Sequence, residues 1–548
     1  MTAAIFRPSD KVDFLVIGSG AAGGVMAKEL STAGFKVVVL EQGPYLRDKD
    51  FVHDEIKGYF QGQLINDWKR QPNTFRKTEA DKAVRQPAVL YGRVVGGGTV
   101  HFTGNFWRFK EVDFRERTRW GPVSGADLQD WPISYADLEA YYTKVEQEFG
   151  VSGLADAPFD PPRSQPYPLP PLPVKSSGVL FERATRKLGL HPYPAPMAIL
   201  SRPYRGRSAC MQCSFCKSFG CEVGAKSSSL VAVIPAAEKT GRCEIRPNSY
   251  VRKIEINAQG HVSGAVYFDA RGKEVFQKAR VVIVCANGAE TPRLLLMSKS
   301  NRFPSGLANT SGVVGRYFQA DTGVILHALF EHPLNDYRGV HVSRLIHDYY
   351  DSDPKRGFYG GGGIDARFDQ YPIGFALRGL PKDVPRWGEG FKDALAHYFT
   401  HTMSLLAHTT CLAVESNSIS LDPDLKDAWG LPALRMTFKN HPDDLKVMAF
   451  CRDRMSEILE AAGAIKIWGG EIDDLTFSGH LMGTCRMGND PRTSVINKYH
   501  RAHDVPNLFL VDGSSFVTCA RQQPTCTIAA LAYRAADYII QSAGKGEI

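Results

Sequence analysis

The chain has 548 residues, of which 43% are hydrophobic and 23% are charged, and this balance is that of a folded globular protein. Lysine and arginine number 66 against 58 aspartate and glutamate residues, so the net charge of +8 is small for the length. The composition excludes a disordered chain, a collagen-like chain and a coiled coil. The sequence has no dense basic tract, which argues against nucleic-acid binding.

The first forty residues predict a strand, a helix and a second strand. Residues 11–18 form a short apolar run rich in β-branched side chains, and residues 36–41 form another. Between them, residues 21–32 have a helical pattern, and Gly34 follows at the usual position of a glycine after a helix. A strand–helix–strand unit of this length predicts a parallel sheet.

The remaining elements divide the chain into regions of different character. Residues 158–173 hold eight prolines, which predicts an extended arm. Residues 279–286 read as another buried strand, whereas residues 321–468 are rich in aromatics and alternating patterns and predict a lobe with an antiparallel sheet. Residues 508–512 and 525–542 return to a strand and a long helix. The predicted fold class is therefore α/β with an added antiparallel lobe.

A glycine-rich turn joins the first strand to the first helix. Gly18, Gly20 and Gly23 fit the pattern G-x-G-x-x-G, and Glu41 ends the second strand. The glycines allow a tight turn and a close approach of a pyrophosphate to the helix N-terminus, while the carboxylate suits ribose hydroxyls. This unit predicts a dinucleotide, and the motif alone leaves FAD and NAD as alternatives.

Seven stretches, including the glycine turn and Glu41, follow one another in the order Asp13–Gly24, Glu41–Gly43, Val95–Thr99, Ala286–Pro292, His480–Gly488, Val511–Ser514 and Pro524–Ile528. Together they resemble the glucose–methanol–choline (GMC) family of flavin oxidoreductases. The likeness is greatest to sugar-oxidising members, namely bacterial sugar dehydrogenase large subunits and pyranose oxidases. Two features carry this narrower likeness: the residues 99–103, and the four cysteines that precede Gly224–Ser227.

The resemblance implies a noncontiguous, Rossmann-like FAD-binding domain and a substrate-binding lobe. The FAD domain would comprise residues 1–110, 205–318 and 472–548, and the lobe with its arm would comprise residues 111–204 and 319–471. The residues expected to bind FAD are Gly18, Gly20, Gly23, Glu41, Gln42, Gly97, Gly98, Thr99, His101, Val251, Asp512 and Gly513.

The resemblance also implies a catalytic pair. His480 matches the catalytic histidine of the family, and a neutral imidazole is a suitable base for removing a hydroxyl proton. The second position, a histidine or asparagine in the family, is Gln523 here; an amide can orient a hydroxyl but cannot act as a base. We expect oxidation of a CH–OH group of a sugar or glycoside, with hydride transfer to flavin N5. An aromatic or aliphatic alcohol is the alternative substrate.

Four cysteines lie within twelve residues. Cys210, Cys213, Cys216 and Cys221 have the spacing C-x2-C-x2-C-x4-C, one residue longer at the end than a common iron–sulfur run. An iron–sulfur cluster, a tetrahedral zinc site and a loop of free thiols are the three alternatives. With a cluster, the chain would be the catalytic subunit of a multi-subunit electron-transfer dehydrogenase.

His101 occupies a Gly-Gly-x-Thr-x-His pattern, and the resemblance to pyranose oxidases implies a covalent bond between this histidine and the flavin. A histidine beside noncovalently held FAD is the alternative.

The expected partner is a small sugar or alcohol substrate; under the alternative of an electron-transfer subunit, a small secretory subunit and a cytochrome would be added. No apolar window of about 18 residues is found, so we expect no direct membrane span. The first residues lack the apolar core of a secretory signal, which predicts a cytoplasmic location, or a periplasmic one if a signal-bearing partner exports the folded chain.

Overall fold

The computed structural model describes residues 5–320, 322–368 and 370–548. Its strands are β1 (Val12–Ile17), β2 (Val37–Leu40), β3 (Asn73–Arg76), β4 (Val84–Arg85), β5 (Tyr193–Pro194), β6 (Cys243–Arg246), β7 (Tyr250–Ile256), β8 (Val262–Phe268), β9 (Glu274–Val284), β10 (Thr322–Leu329), β11 (Val342–Ile346), β12 (Gly362–Arg367), β13 (Thr402–Thr409), β14 (Ser418–Lys426), β15 (Pro432–Thr437), β16 (Lys466–Gly469) and β17 (Leu508–Leu510).

The α-helices are α1 (Ala21–Thr32), α2 (Glu116–Trp120), α3 (Ala136–Phe149), α4 (Ser176–Lys187), α5 (Ser229–Ala232), α6 (Ile234–Lys239), α7 (Asn287–Met297), α8 (Pro372–Gly374), α9 (Phe391–His401), α10 (Pro442–Ala461) and α11 (Thr525–Gly544). Short 3₁₀ turns cover Asp48–Asp50, Gly97–Val100, Glu111–Phe114, Pro354–Arg356 and Gly513–Ser515, and π turns cover Ile56–Phe60 and Phe375–Gly379. Within the described ranges, each helix is too short or too polar to span a bilayer.

The first sheet has the strand order β6-β2-β1-β9-β8-β7, with β17 also paired to β9. The strands β6, β2, β1, β9 and β17 run parallel, as the strand–helix–strand pattern predicts. All four side chains of β2 are buried, because helices cover a parallel sheet on both faces. The long β9 also forms an antiparallel hairpin with β8, so one strand links the two halves of the sheet.

The second sheet has the order β16-β10-β13-β12-β11-β5, and each of its pairings is antiparallel. This arrangement confirms the α/β class with an antiparallel lobe. The helix α10 packs across β10 and β13 and buries an apolar face that includes Val447, Cys451 and Met455. Its first turn carries Asp443 and Asp444, acidic residues that suit the positive end of a helix dipole.

A third sheet joins distant parts of the chain in the order β14-β15-β3-β4. The strand β3 lies within the first predicted segment of the FAD domain, and β15 lies within the predicted lobe, yet the two pair in parallel. The two regions therefore share a sheet, and the predicted domain boundaries stay a prediction.

Candidate functional site

The glycine turn after β1 requires glycine at two positions. Gly18 has a φ of +94°, a left-handed conformation that residues with a side chain rarely adopt. A Cβ on Gly23 would lie 2.0 Å from the carbonyl oxygen of Gly18, so only glycine lets α1 approach the strand so closely. The turn thus holds the N-terminus of α1 at the carboxyl edge of the parallel sheet, where an anion is stabilised.

A second glycine loop contacts the first. The residues Gly96 and Gly97 both have a positive φ, and a Cβ on Gly97 would lie 2.7 Å from the Cα of Gly20. A Cβ on Gly98 would meet no atom within 4 Å, so this residue borders open space. The two loops together leave a narrow floor made of backbone, which a flat or extended ligand can approach closely.

Glu41 lies buried at the end of β2 beside the glycine turn. Its Oε2 accepts hydrogen bonds from the Ser19 amide (3.1 Å) and hydroxyl (2.7 Å), and its Oε1 accepts one from the Gly43 amide (2.9 Å). Burial raises the pKa of Glu41, although the hydrogen bonds from Gly43 and Ser19 lower it in part. These bonds fix the carboxylate in the orientation that a ribose would meet.

Asp512 lies on the opposite side of the same opening. Its carboxylate accepts hydrogen bonds from the Asn287 amide (3.1 Å), the Thr291 hydroxyl (2.6 Å) and the Ser514 amide (2.8 Å). Burial raises the pKa of Asp512, and the hydrogen bonds from Thr291 and Ser514 oppose this rise. The carboxylate therefore ties the start of α7 to the segment after β17.

A cavity of about 360 Å³ runs between these elements. Of the predicted site residues, those that line it are Gly18, Gly20, Glu41, Gln42, Gly97, Gly98, Thr99, His101, Val251, His480, Asp512 and Gly513. Gly23 lies behind the turn and supports it by packing, while Gln523 is outside the lining although its neighbours Pro524 and Thr525 belong to it. The structure thus gathers predicted site residues from six segments of the chain around one opening.

His101 follows the second glycine loop and is held by its backbone. Its amide donates to Gly98, and its carbonyl accepts from Ser218. Burial, with a smaller contribution from Lys226, lowers the pKa of His101 to about 4, so the imidazole is neutral at pH 7. Its Nε2 is buried without a partner among the described residues, and such an atom calls for a ligand group. The backbone floor and this unpaired nitrogen fit FAD.

His480 lines the cavity at its far end and is half-buried. The Ser478 hydroxyl accepts from the His480 amide (3.0 Å) and donates to the His480 carbonyl (2.9 Å), which closes a tight turn. This turn fixes the backbone of the histidine beside Gly479 and Leu481, which also line the cavity. The backbone turn therefore holds His480 in the wall of the cavity.

Gln523 contacts the antiparallel lobe through His408, a histidine that no sequence motif marks. The amide Nε2 of Gln523 lies 2.5 Å from Nε2 of His408 on β13. Asp365 and Arg367 of β12 adjoin the same imidazole, at 3.3 Å and 3.1 Å. We call Asp365, Arg367, His408 and Gln523 the lobe cluster. No local spacing marks these residues, because their proximity depends on strand pairing.

The four clustered cysteines occupy a loop with a buried lysine at its centre. The ammonium group of Lys226 donates to the carbonyls of Phe102, Cys216 and Phe219. In the ranges that the structure describes, no group of three or more His, Cys, Asp or Glu side chains is arranged to hold a metal ion. Lys226 thus holds the loop together through backbone carbonyls, the four thiols are free, and an iron–sulfur site at Cys210, Cys213, Cys216 and Cys221 stays a prediction.

Comparison with known proteins identifies the class. Two models of the GMC oxidoreductase family match residues 170–321 and 413–532, and a model of an NAD(P)-binding Rossmann-like domain matches residues 16–75. The 2-methyl-1,2-propanediol dehydrogenase of Mycolicibacterium austroafricanum is 36% identical, over 97% of this chain and 95% of that protein. The gluconate 2-dehydrogenase flavoprotein of Pantoea cypripedii is 33% identical, over 96% of this chain and 93% of that protein.

The fold agrees with this similarity. A solved structure of a formate oxidase variant from Aspergillus oryzae RIB40 has a TM-score of 0.70 at 14% identity, covering 99% of this chain and 100% of that one. The chain belongs to the GMC oxidoreductase family. It is an FAD-dependent oxidoreductase that acts on CH–OH groups of the alcohol or sugar type.

Proposed function

We propose that the enzyme oxidises a CH–OH group of a sugar or glycoside to a carbonyl, with His480 as the base. The observation that carries this proposal is that His480 lines the same cavity as the glycine loops and Asp512. A base must lie beside the hydride acceptor, since the proton and the hydride leave adjacent atoms of one alcohol group.

Each residue of the pair has a separate task. His480 accepts the hydroxyl proton on its imidazole, and Gln523 orients the hydroxyl through a hydrogen bond. When bound, FAD supplies the hydride acceptor at N5. Glu41 and Asp512 are buried in the cavity wall, and their hydrogen bonds hold the surrounding segments in place.

The lobe cluster supports a polyhydroxylated substrate. Asp365, Arg367 and His408 place hydrogen-bonding groups beside Gln523. Sites that hydrogen-bond hydroxyl groups discriminate strongly against analogues that lack them. A small aliphatic diol is the second candidate, favoured by the 36% identity to a propanediol dehydrogenase.

Anaerobic flavin bleaching tests the proposal directly. The holoenzyme is mixed with matched sets of sugars, sugar acids, glycosides, aliphatic diols and aromatic alcohols, and the loss of flavin absorbance is followed. Bleaching fastest with a sugar or glycoside supports the first candidate, and bleaching fastest with a diol supports the second. A flavin that no alcohol or sugar reduces overturns both.

The covalent bond at His101 is a separate proposal. Its support is that Nε2 of His101 is buried in the cavity wall without a partner among the described residues. Acid precipitation of the holoenzyme should leave yellow colour with the protein pellet if the bond is present. Colour found entirely in the supernatant overturns the bond and leaves FAD held noncovalently.

The route of electrons from the flavin to an acceptor depends on whether the cysteine loop binds a metal. Because the described residues offer no metal-binding arrangement, we do not assign an electron relay to the loop. The predicted small subunit, cytochrome and cellular location stay predictions. Purified protein whose spectrum shows flavin bands alone, with no iron by metal analysis, agrees with this structure, whereas stoichiometric iron and sulfide would contradict it.

A further inference from the structure

The lobe cluster holds two opposite charges and an imidazole away from water. Asp365 is fully buried, and Arg367, His408 and Gln523 are each at least nine-tenths buried. The carboxylate of Asp365 accepts hydrogen bonds from Nε of Arg367 (2.6 Å) and from its Nη2 (2.5 Å). Buried charges require such pairing, because an unpaired ion in the interior is costly.

Strand register explains why these groups meet. In the pairing of β12 with β13, His408 lies opposite Gly363, and Asp365 and Arg367 follow at alternate positions of β12. Alternate residues of a strand share one face, so the three functional side chains lie on the same side of the sheet. Gly363 has no side chain, and a Cβ there would lie 2.6 Å from Cδ2 of His347, whose imidazole takes that space. The sheet thus presents His408 to Gln523 from a rigid support.

The ion pair fixes the charge next to the imidazole. Burial alone would raise the pKa of Asp365, but Arg367 and His408 outweigh it and the pKa lies below its usual range. Asp365 is therefore an anion at neutral pH. Its Oδ2 lies 3.3 Å from Nε2 of His408. The Trp107 ring packs edge-on against the imidazole, with 6.0 Å between the ring centroids. These contacts leave the His408 side chain few other orientations.

Gln523 is bound to the cluster at one end of its amide only. Its Nε2 meets His408, while its Oε1 is buried without a hydrogen-bond partner among the described residues. An unsatisfied buried carbonyl oxygen is destabilising and needs a donor. The next two residues, Pro524 and Thr525, line the cofactor cavity. A substrate hydroxyl in that cavity is a donor of the required kind.

We propose that His408 is a positioning residue for the reaction: set beside the Asp365–Arg367 ion pair, its Nε2 accepts a hydrogen bond from the amide of Gln523 and fixes that side chain, so that Oε1 accepts a hydrogen bond from the substrate hydroxyl. This inference rests on the proposed function. It assigns to the lobe sheet a part in orienting the reacting alcohol. It also explains how a glutamine serves where the family has a shorter amide or a histidine, because the longer side chain is held by a partner on the sheet.

A double-mutant cycle tests this role. Flavin reduction is measured anaerobically for wild type, His408→Ala, Gln523→Ala and the double variant, with the best substrate of the bleaching panel. Each single change should slow reduction roughly 10-fold, as expected for one lost hydrogen bond. The double variant should be no slower than the slower single variant, because both changes remove the same interaction. Losses that multiply overturn the positioning role.

Three further measurements separate positioning from stability. His408→Gln should recover part of the rate, since an amide can still bond Gln523. If His408→Ala does not fold, the cycle is run with His408→Phe, which keeps a ring in the space but cannot form a hydrogen bond. His327→Gln is the matched control, because His327 is a buried histidine of the same sheet bonded to Ser404. It should retain the wild-type rate within about twofold, as expected away from the reacting groups. A crystal structure of His408→Ala should show the Gln523 side chain in a different rotamer.

The proposed function and the positioning role of His408 are overturned by different results. A wild-type flavin that no alcohol or sugar reduces overturns the proposed function and the positioning role with it. An active wild type in which His408→Ala behaves like the His327→Gln control, or an unmoved Gln523 in the crystal, overturns the positioning role alone.

Discussion

The cofactor cavity and the lobe cluster are built in opposite ways. The floor of the cavity is formed by backbone, because Gly18, Gly97 and Gly98 leave their peptide groups bordering the opening without side chains in between. The lobe cluster is formed by charged side chains, Asp365 and Arg367, held on paired strands. A site made of backbone must be encoded by local spacing, whereas a site made of paired strands need not leave any local pattern.

The largest expected effect concerns the proposed base in the cofactor cavity. His480→Ala should slow flavin reduction roughly 10²–10⁴-fold, because a positioned base is lost. FAD content should stay unchanged, since His480 lies away from the glycine turn. Stopped-flow absorbance and the ratio of flavin to protein measure the two quantities. His261→Ala, which changes an exposed histidine, is the control; near wild-type reduction in His480→Ala would show that another group is the base.

The lobe cluster should depend on its ion pair for stability. Asp365→Ala should lower the free energy of unfolding by about 3–5 kcal/mol, because it leaves Arg367 buried without its carboxylate. Asp453→Ala removes an exposed carboxylate paired with Arg452 and should cost less than about 1 kcal/mol. Chemical unfolding of both holoenzymes provides the comparison. Equal losses of unfolding free energy in the two variants would show that the buried ion pair contributes no more to stability than the exposed one.

The cofactor cavity should respond to added bulk instead. Gly23→Ala should cost about 1–3 kcal/mol of stability, because its Cβ would press on the carbonyl of Gly18 and push α1 from the strand. FAD content should fall at the same time. Gly34→Ala is the control, since a Cβ there meets no atom within 4 Å, although its positive φ still carries some strain. Full FAD content in Gly23→Ala would contradict the close-packed turn.

The smallest expected effect is a change in how stability depends on pH. Burial raises the pKa of Asp444 to about 7. An unfolded aspartate titrates near ~4, so between these values the folded state holds a proton that the unfolded state has released. Stability contributed by this group is therefore present at low pH and is lost as the pH rises through that window.

Asp444→Asn should reduce the loss of stability with rising pH, because the amide is neutral at every pH, like the protonated acid. Its neighbour Asp443 has a pKa below the usual range: burial would raise it, but hydrogen bonds from the Tyr359 amide and Lys446 outweigh the burial. Asp443→Asn should therefore leave the fall in place. Thermal unfolding of the two variants between pH 4 and 8 measures the difference, and parallel curves for both would refute the assignment.

Much of the first sheet could be predicted, because its signals are local. The predicted helix over residues 21–32 is α1, and the predicted strand over residues 36–41 contains β2. The long C-terminal helix begins at the predicted residue, Thr525, and ends two residues beyond the predicted end, at Gly544. Buried runs and glycine turns identify such elements without knowledge of their partners.

The missed features all involve partners far apart in the chain. The pairing of β3 with β15 joins residues more than 350 positions apart, and neither strand carries a mark of the other. No sequence motif marks His408, since a single histidine in a strand forms no spacing pattern with other residues. The cysteine spacing is the opposite case: it is local and suggests an iron–sulfur site, which stays a prediction, while in the structure the loop is folded around Lys226.

The order of the strands in the first sheet has a consequence for biosynthesis. β1 leaves the ribosome first, yet its sheet lacks β17 until residue 510 has been made. At a rate of 5–20 residues per second, this interval lasts roughly 25–100 s. During it, the edge of β9 that β17 later covers is open to chaperones or to wrong partners. The cavity is therefore completed only when nearly the whole chain has been made, because Asp512 and Gly513, which follow β17, form part of its lining.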